Sequence, residues 1–357
     1  MDNYVTNNNM GGQRVSWIDA VKGLAVLLVI YAHALPSSPF EDVISTFDVP
    51  LFVVLTGYLV GDKEYTKERA IQKYTNTFLK NIYKYIFYAL IALFVTSFVE
   101  WMLHSLSIAF VVQNIYGIIT GYGGSFALWY VASYLIGLGF FYIIHCKVSS
   151  NKVRYTIAAL LTIPAMIYDW CLRESIDNIY LISYPLISLL RSATFVFYLE
   201  VGTYTQKKIK KVSWKTEILA IIILTSVVTV ALFNGCTNYS FIMHGKYPFA
   251  LYYCGAFGSV SLIITFQFLY KKIQFKLLEF SGRNSLLIMS THRNWEILFF
   301  SQIIINHCIY RLPEKPNTYF YLYGVLCIGI VMLVEAMLVL FANKIKIIMK
   351  IDCEVSG

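Results

Sequence analysis

The chain has 357 residues, of which 58% are hydrophobic and only 14% are charged, whereas about a quarter of the residues of a soluble domain are charged. This composition excludes an ordinary soluble enzyme and predicts an all-α membrane protein that crosses the bilayer many times. A net charge of +9 also suits nucleic-acid binding, but in a membrane protein a basic excess is typical of cytoplasmic loops. We therefore expect no nucleic-acid partner.

Apolar runs long enough to cross a bilayer recur from the N-terminus to the C-terminus. The ten runs cover residues 16–36, 43–60, 84–104, 126–145, 153–170, 184–204, 217–234, 250–270, 284–306 and 319–342. The first run is too long for a signal peptide and has no small-residue cleavage site, so we expect no processing. The sequence predicts about ten transmembrane helices in a single membrane domain over residues 14–350.

Three segments lie outside these spans. Residues 105–125 carry no charge and end in a glycine-rich stretch, which predicts an interfacial or re-entrant helix followed by a turn. The asparagine-rich residues 1–13 and the last residues, 351–357, are predicted to be disordered tails.

The lysines and arginines fall mainly in connections on one side of the predicted bundle. They are Lys63, Lys67, Arg69, Lys73, Lys80, Lys84, Lys147, Lys152, Arg154, Lys207, Lys208, Lys210, Lys211, Lys215, Lys271, Lys272, Lys276 and Arg283. The positive-inside rule then predicts that both termini are cytoplasmic in the cell inner (plasma) membrane. With this orientation, Lys22 lies toward the cytosol and His33 near the outer surface.

Seven cysteines are scattered along the chain without CxxC or CxxxxC spacing. Several of them fall inside apolar runs. This pattern predicts neither a disulfide framework nor a metal site.

Lys22 and His33 lie within the first apolar run, where an ionisable side chain costs about 2.5–3.5 kcal/mol by insertion scales. Eleven helical steps place them roughly 16 Å apart and on nearly the same face. His33 can act as a general base because its imidazole titrates near neutral pH. The alternative is a buried histidine that only forms a hydrogen bond to a neighbouring helix.

Acidic residues follow His33 in the next run. Asp48 lies inside the apolar FDVPLF and is the favoured residue to orient the imidazole and stabilise its cation. Glu41 and Asp42 are more typical of solvated loop charges. Asp19 and Lys22 are three residues apart, and this spacing also suits a simple ion pair at the interface.

Further polar residues interrupt later runs and need partners inside the bundle. We expect these residues to line a polar interior cavity. They are Arg191 and Glu200 in the sixth run and Glu335 in the tenth, and Asp19, Glu41 and His292 are further cavity-lining candidates. For His292 the alternative is a pairing across helices.

Four stretches resemble the acyltransferase 3 family of integral membrane O-acyltransferases, especially its fucose 4-O-acetylase-like branch. WIDAVKGLAVLLVIYAH and FDVPLFVVLTGYL are similar to the first two family helices, and ALWYVASYL and SGRNSLLIMSTH to later landmarks. The family more often has arginine where this chain has Lys22, and lysine lacks the planar fork that grips phosphate bidentately.

The resemblance implies an O-acyltransferase, with an O-acetyltransferase favoured. The donor is acetyl-CoA or another acyl-CoA, and the acceptor is a hydroxyl of a cell-surface polysaccharide or of its lipid-linked glycan precursor. His33 and Asp48 would be catalytic, and Lys22 and Arg293 would bind the donor. We expect no tightly bound cofactor. We also expect membrane lipids to surround the protein as partners. Direct transfer and a transient acyl-histidine both stay open, because both need an unprotonated imidazole.

Two rival interpretations fit some of the same residues. A transporter or lipid flippase would also place histidine, arginine and glutamate along a path through the membrane. It would also show an internal repeat with paired broken helices, and the sequence shows none. An inactive relative that assists assembly is the other rival, against which Lys22 and His33 argue.

Overall fold

The computed structural model describes residues 15–35, 38–61, 65–123, 127–209, 212–293, 295–309 and 318–355. Almost all of these residues are helical. The only β-type pairing among them is an isolated bridge between Asn238 and Met243.

Sixteen α-helices follow one another through the described residues. They are α1 (Ser16–Ala34), α2 (Pro39–Ile44), α3 (Asp48–Val60), α4 (Lys67–Met102), α5 (Ile108–Ile119), α6 (Trp129–Lys147), α7 (Asn151–Leu160), α8 (Ile163–Ile167), α9 (Arg173–Ile176), α10 (Tyr180–Lys208), α11 (Trp214–Asn234), α12 (Pro248–Leu269), α13 (Lys276–Arg283), α14 (Ser285–Thr291), α15 (Ile297–Ile309) and α16 (Thr318–Val355). A π-helical turn, Tyr168–Leu172, joins α8 to α9, and a 3-10 turn, Tyr239–Phe241, lies between α11 and α12.

Nine helical stretches of the described chain are long and apolar enough to cross a membrane. They are Ser16–Ala34, Pro39–Val60, Lys67–Met102, Trp129–Lys147, Asn151–Ile176, Tyr180–Lys208, Trp214–Asn234, Pro248–Leu269 and Tyr321–Phe341. The prediction of an all-α protein with many membrane spans is confirmed. A short apolar helix, α5, also forms within residues 105–125, and Gly121 and Gly123 follow it with positive φ.

The predicted ninth span, residues 284–306, is wrong as a single continuous helix. It divides into α14 and α15, and Glu296 between them has a φ of 58°. That left-handed conformation ends a regular helix. The sequence is polar here, at THRNWE. The pattern of apolar residues does not indicate that the helix axis changes direction within one long apolar run.

The core of the bundle is formed around α1, α3 and α12. In the apolar stretches Ser16–Ala34, Pro39–Val60 and Pro248–Leu269, 61%, 67% and 61% of the most apolar part is buried by protein, against 17% in α4 and 22% in α11. The latter two helices expose many large apolar side chains, among them Phe94, Leu90 and Phe233. Such faces suit lipid, so α1 is a central helix and α4 a peripheral one.

Two glycines bring α13 against the first half of α1. A Cβ atom on Gly282 would lie 1.7 Å from the carbonyl oxygen of Asp19, and one on Gly23 would lie 1.9 Å from that of Leu278. No other residue type fits such a close approach of two backbones, which is how small residues act in membrane helix packing. The contact fixes the residues of α13 beside the Asp19 and Lys22 turn of α1.

Candidate active site

His33 lies in the last turn of α1, beside the break between α14 and α15. Its ring stacks on that of His292, with 5.6 Å between the ring centroids and 17° between the ring planes. His292 is fully buried, and its Nδ1 lies 2.8 Å from the carbonyl oxygen of Ile288. A carbonyl only accepts, so Nδ1 carries the proton and Nε2 of a neutral ring is free to accept.

The break is held to α16 by a buried hydrogen bond. Thr291, the last residue of α14, lies 2.5 Å from Oε1 of Glu335 through its hydroxyl oxygen, and both residues are fully buried. The backbone N–H groups of Trp295 and Leu298 donate to the carbonyls of Thr291 and His292 at 3.0 and 2.8 Å. These bonds satisfy the backbone where the helix is interrupted, as is needed inside a membrane protein.

Three buried polar atoms around this break have no hydrogen-bond partner within the described chain. They are Nε2 of His292, Nε1 of Trp295 and Oε2 of Glu335. Leaving such an atom unsatisfied costs about 1–3 kcal/mol. The three atoms include a donor, the indole N–H, and at least one acceptor. A polar ligand that enters beside His33 would find partners that the protein itself does not supply.

The opposite end of α1 carries a network of charges. Asp19 is buried and lies 3.6 Å from the Arg283 guanidinium, which also contacts Glu279 at 2.9 Å. Tyr270 donates to the other oxygen of Glu279 at 2.8 Å. Lys22 is half-buried one turn along α1 from Asp19. Arg283 is half exposed and lies between the carboxylates of Asp19 and Glu279, so this end carries a network of paired charges beside Lys22.

Arg293 does not lie with Lys22. It directly follows His292, is exposed, and acts electrostatically on His33. Arg283 is the cation that lies beside Asp19 at the Lys22 end of α1, and the donor-binding role of Arg293 stays a prediction. Arg293 lies near the level of His33 because it directly follows His292, whose ring stacks on that of His33.

Comparison with known proteins decides the family. The profile of the acyltransferase domain matches residues 15–336. The chain belongs to the acyltransferase 3 family. It is a membrane acyltransferase, and the matched region includes both ends of α1 and the break that holds His292. No curated protein and no solved structure gives a match.

In this acyltransferase, Asp48 begins α3 and is buried. Its Oδ1 accepts from the backbone N–H of Val49 at 2.6 Å, and Glu41 is its charged neighbour. Among the described residues no hydrogen bond or ion pair joins Asp48 to His33; the ring beside His33 is that of His292. The catalytic role of Asp48 stays a prediction, and sequence reasoning missed the stacked pair because the two histidines are far apart along the chain.

The sequence predicts that Arg191 and Glu200 line a cavity. In the structure both side chains have partners within the protein. Arg191 is buried and donates to backbone carbonyls, among them Tyr122 at 3.2 Å, while its guanidinium lies 4.9 Å from the Trp129 ring centroid. Glu200 pairs with His145 at 2.8 Å, with both side chains buried. These contacts hold helices and connections together. A single sequence does not reveal such partners, because they come from other helices.

A second polar chain at the same end of the bundle as His33 was not predicted. Oδ2 of Asp169 accepts from the backbone N–H and from Nδ1 of His244, both at 2.8 Å. Nε2 of His244 lies 2.9 Å from the hydroxyl of Tyr252. The residues come from the π-helical turn, from the connection before α12, and from α12 itself, and no motif marks them.

Proposed function

We propose that this acyltransferase moves an acetyl group from acetyl-CoA at the cytosolic face to a hydroxyl of a cell-surface polysaccharide or its lipid-linked glycan precursor. The observation that carries the proposal is the position of His33. Its ring lies at one end of α1 beside buried, unsatisfied polar atoms, while Lys22 and Arg283 gather at the other end. The resemblance to the fucose 4-O-acetylase-like branch supports the choice of acetyl group and carbohydrate.

The charge pattern supports the sidedness of the proposal. The end of α1 that carries Lys22 belongs to the side with most lysines and arginines in its connections, which the positive-inside rule makes cytosolic. An anionic CoA donor would meet cations there. Lys22 and His33 are about 16 Å apart along α1, so a donor with a long flexible arm between its phosphates and its thioester can reach both.

In the direct mechanism, His33 removes the proton from the acceptor hydroxyl as its oxygen attacks the thioester carbonyl. The new C–O bond forms, the C–S bond breaks, and the imidazolium returns its proton to the leaving thiolate. In the two-step alternative, a nitrogen of His33 attacks the thioester carbonyl, the C–S bond breaks, and the thiolate leaves with the proton of the imidazolium. The acceptor hydroxyl then attacks the acyl-imidazole, the N–C bond breaks, and the hydroxyl proton passes to the released imidazole. Both routes need an unprotonated nitrogen on His33 that faces the substrates.

His292 is a positioning residue in this proposal. Its hydrogen bond to Ile288 fixes the orientation of its ring, and the stacked ring in turn limits the rotation of His33. The indole N–H of Trp295 can donate to a carbonyl oxygen that becomes negative during the transfer, a contribution that is large in a site shielded from water.

The test is the replacement of His33 by alanine in purified protein and in cells. Transfer should fall at least about a hundredfold, the lower range for loss of a general base, and surface glycans should lose their O-acyl esters. His307→Ala, an exposed histidine of α15, is the matched control and should act like wild type. If His33→Ala keeps half of the activity in a purified assay, the proposed mechanism is wrong.

A further inference from the structure

A cavity of about 420 Å³ opens at the end of the bundle where His33 lies. This size falls in the range of about 300–1,000 Å³ that is typical of ligand sites. The π-helical turn and α9 form one wall, and the connection between α11 and α12 forms the other. Turns of π-helix are rare and occur often at functional sites.

The wall of the cavity is held rigid by the polar chain around Asp169. Besides the two bonds from His244, Asp169 accepts from Nε and Nη2 of Arg173 at 3.0 and 2.6 Å. Nη2 of Arg173 donates further to the carbonyl of Ile242 at 2.5 Å. The carboxylate thereby ties the π-helical turn to the opposite connection, and the cavity between them is preorganised.

The groups that remain available to a ligand are mixed donors and acceptors beside an aromatic face. Three of the five N–H donors of Arg173 have partners in the described chain, which leaves both hydrogens on Nη1. Glu174 and Ser175 are exposed at the rim. Trp170 also lines the cavity, and 85% of its surface is exposed.

These groups favour a neutral, hydroxyl-rich ligand over an anion. The charge of Arg173 is already compensated by Asp169, so the carboxylate of Glu174 gives the rim its net charge and repels anions. A hydroxyl both donates and accepts, and can therefore bond to Glu174 and to Arg173 at once. The apolar C–H face of a sugar ring can cover the indole of Trp170.

The cavity lies next to the helix that follows His33. Cys236 lines it, and the carboxylates of Asp42 and Glu41 in α2 are its charged neighbours. The hydroxyl oxygens of Ser45 and Thr237 are 3.1 Å apart, joining the segment after α2 to the same connection. Because α2 begins at Pro39, shortly after His33, a chain-like substrate can contact both places.

We infer that this cavity is a carbohydrate subsite that binds neutral sugar residues of the acceptor beyond the one that is acylated. The inference rests on the proposed function for the identity of the acceptor. It adds that the enzyme recognises a polymer or oligosaccharide through Trp170, Glu174 and Arg173, at a place distinct from His33.

Protection of Cys171 tests binding separately from chemistry. Cys171 lines the cavity and is exposed. Cys236 is the poorer reporter, because burial and the nearby carboxylates raise the pKa of its thiol and so deplete the reactive thiolate. Full-length protein that keeps Cys171 as its only cysteine is labelled with an impermeant maleimide. The probe is deacylated surface polysaccharide from cells that lack the protein, separated by anion exchange into neutral and acidic fractions.

The neutral fraction should slow labelling of Cys171 about tenfold, and it should do so in a His33→Ala background too, since binding needs no acyl transfer. Trp170→Ala should abolish this protection, because it removes the aromatic face that the sugar ring would cover. The control Trp101→Ala removes another exposed tryptophan, at the end of α4, and should keep the protection.

The outcomes separate the subsite from the proposed function. If acyl transfer depends on His33 but neither fraction protects Cys171, the subsite is wrong and the function stands. If the neutral fraction protects while His33→Ala stays active, the subsite stands and the mechanism is wrong. Protection by the acidic fraction alone would overturn the inference that the ligand is neutral.

Discussion

The imidazole rings of His33 and His292 stack nearly parallel, with 5.6 Å between their centroids, although the two residues lie near opposite ends of the chain. His292 continues the helical conformation of α14, since its backbone N–H donates to the carbonyl of Ile288 at 3.0 Å, and the interruption before α15 follows it. A buried histidine whose Nε2 has no partner among the described residues costs stability. The position of His292 beside the candidate base is best explained by a role in positioning His33 and the substrates.

Replacement of His292 tests this role. His292→Phe keeps a flat ring against His33 but removes both nitrogens, so we expect kcat to fall about tenfold with little change in the donor KM, because ground-state binding is unaffected. His292→Ala also removes the stacked ring and should lower kcat further. Steady-state kinetics on purified protein measure both. Equal, wild-type kcat values for the two variants would exclude a positioning role.

Lys22 is expected to act through its charge. Lys22→Arg should keep activity, and Lys22→Gln should raise the apparent KM for the acyl-CoA donor roughly tenfold, since a charge-assisted bond to phosphate contributes about 1.5–3 kcal/mol. Titration of the donor in a transfer assay measures this. Lys246→Gln, at the opposite end of the bundle, is the control. If Lys22→Gln has the wild-type KM, Lys22 serves only as a topological anchor.

Gly282 should tolerate no side chain. Its added Cβ would overlap the Asp19 carbonyl at 1.7 Å, so Gly282→Ala must force α13 away from α1 and should cost about 1–3 kcal/mol, the range for overpacking. The midpoint of thermal unfolding in detergent should fall accordingly. Gly329→Ala is the matched control, because nothing lies within 4 Å of its added Cβ. A similar midpoint for both variants would contradict the close contact of α1 and α13.

The His145–Glu200 pair should behave as a unit. Both side chains are buried, so His145→Leu leaves an uncompensated carboxylate and should cost about 3–5 kcal/mol. The double variant His145→Leu with Glu200→Leu should be more stable than His145→Leu alone, since it removes the stranded charge as well. Thermal unfolding of the wild type, His145→Leu, Glu200→Leu and the double variant forms the test. If the double variant loses as much as the two single changes added together, the pair is not coupled.

The sequence predicts most of the fold because each membrane-spanning helix corresponds to a local run of apolar residues. Such runs locate α1, α4, α10 and α12 without any knowledge of their neighbours. The ninth span fails because the left-handed backbone at Glu296, with a φ of 58°, breaks the helix inside a continuous apolar run. The same limit applies to the site: the positions of Lys22 and His33 on one helix follow from spacing alone, but the neighbours of each depend on packing between distant segments. Gly282 shows this, because nothing local distinguishes it from other glycines.

Sidedness is the prediction on which transfer across the membrane depends. Residues 61–84 and 206–215 carry eleven lysines and arginines, whereas residues 171–183 carry only Arg173, so we expect the former inside and the latter outside. Single cysteines at Asn178 and Glu68, both exposed, suit a labelling test in a protein without its native cysteines. Ser38 does not, because it is buried and its hydroxyl accepts from the N–H of Glu41 at the start of α2.

An impermeant maleimide added to intact cells should label Asn178→Cys and leave Glu68→Cys unreacted until the membrane is opened. His33 then faces the outer side, because the connection that holds Asn178 lies at the His33 end of the bundle. The reverse pattern would place His33 beside the cytosolic donor. Acyl transfer would in that case take place at the cytosolic face, on a precursor that is exported only after it has been modified.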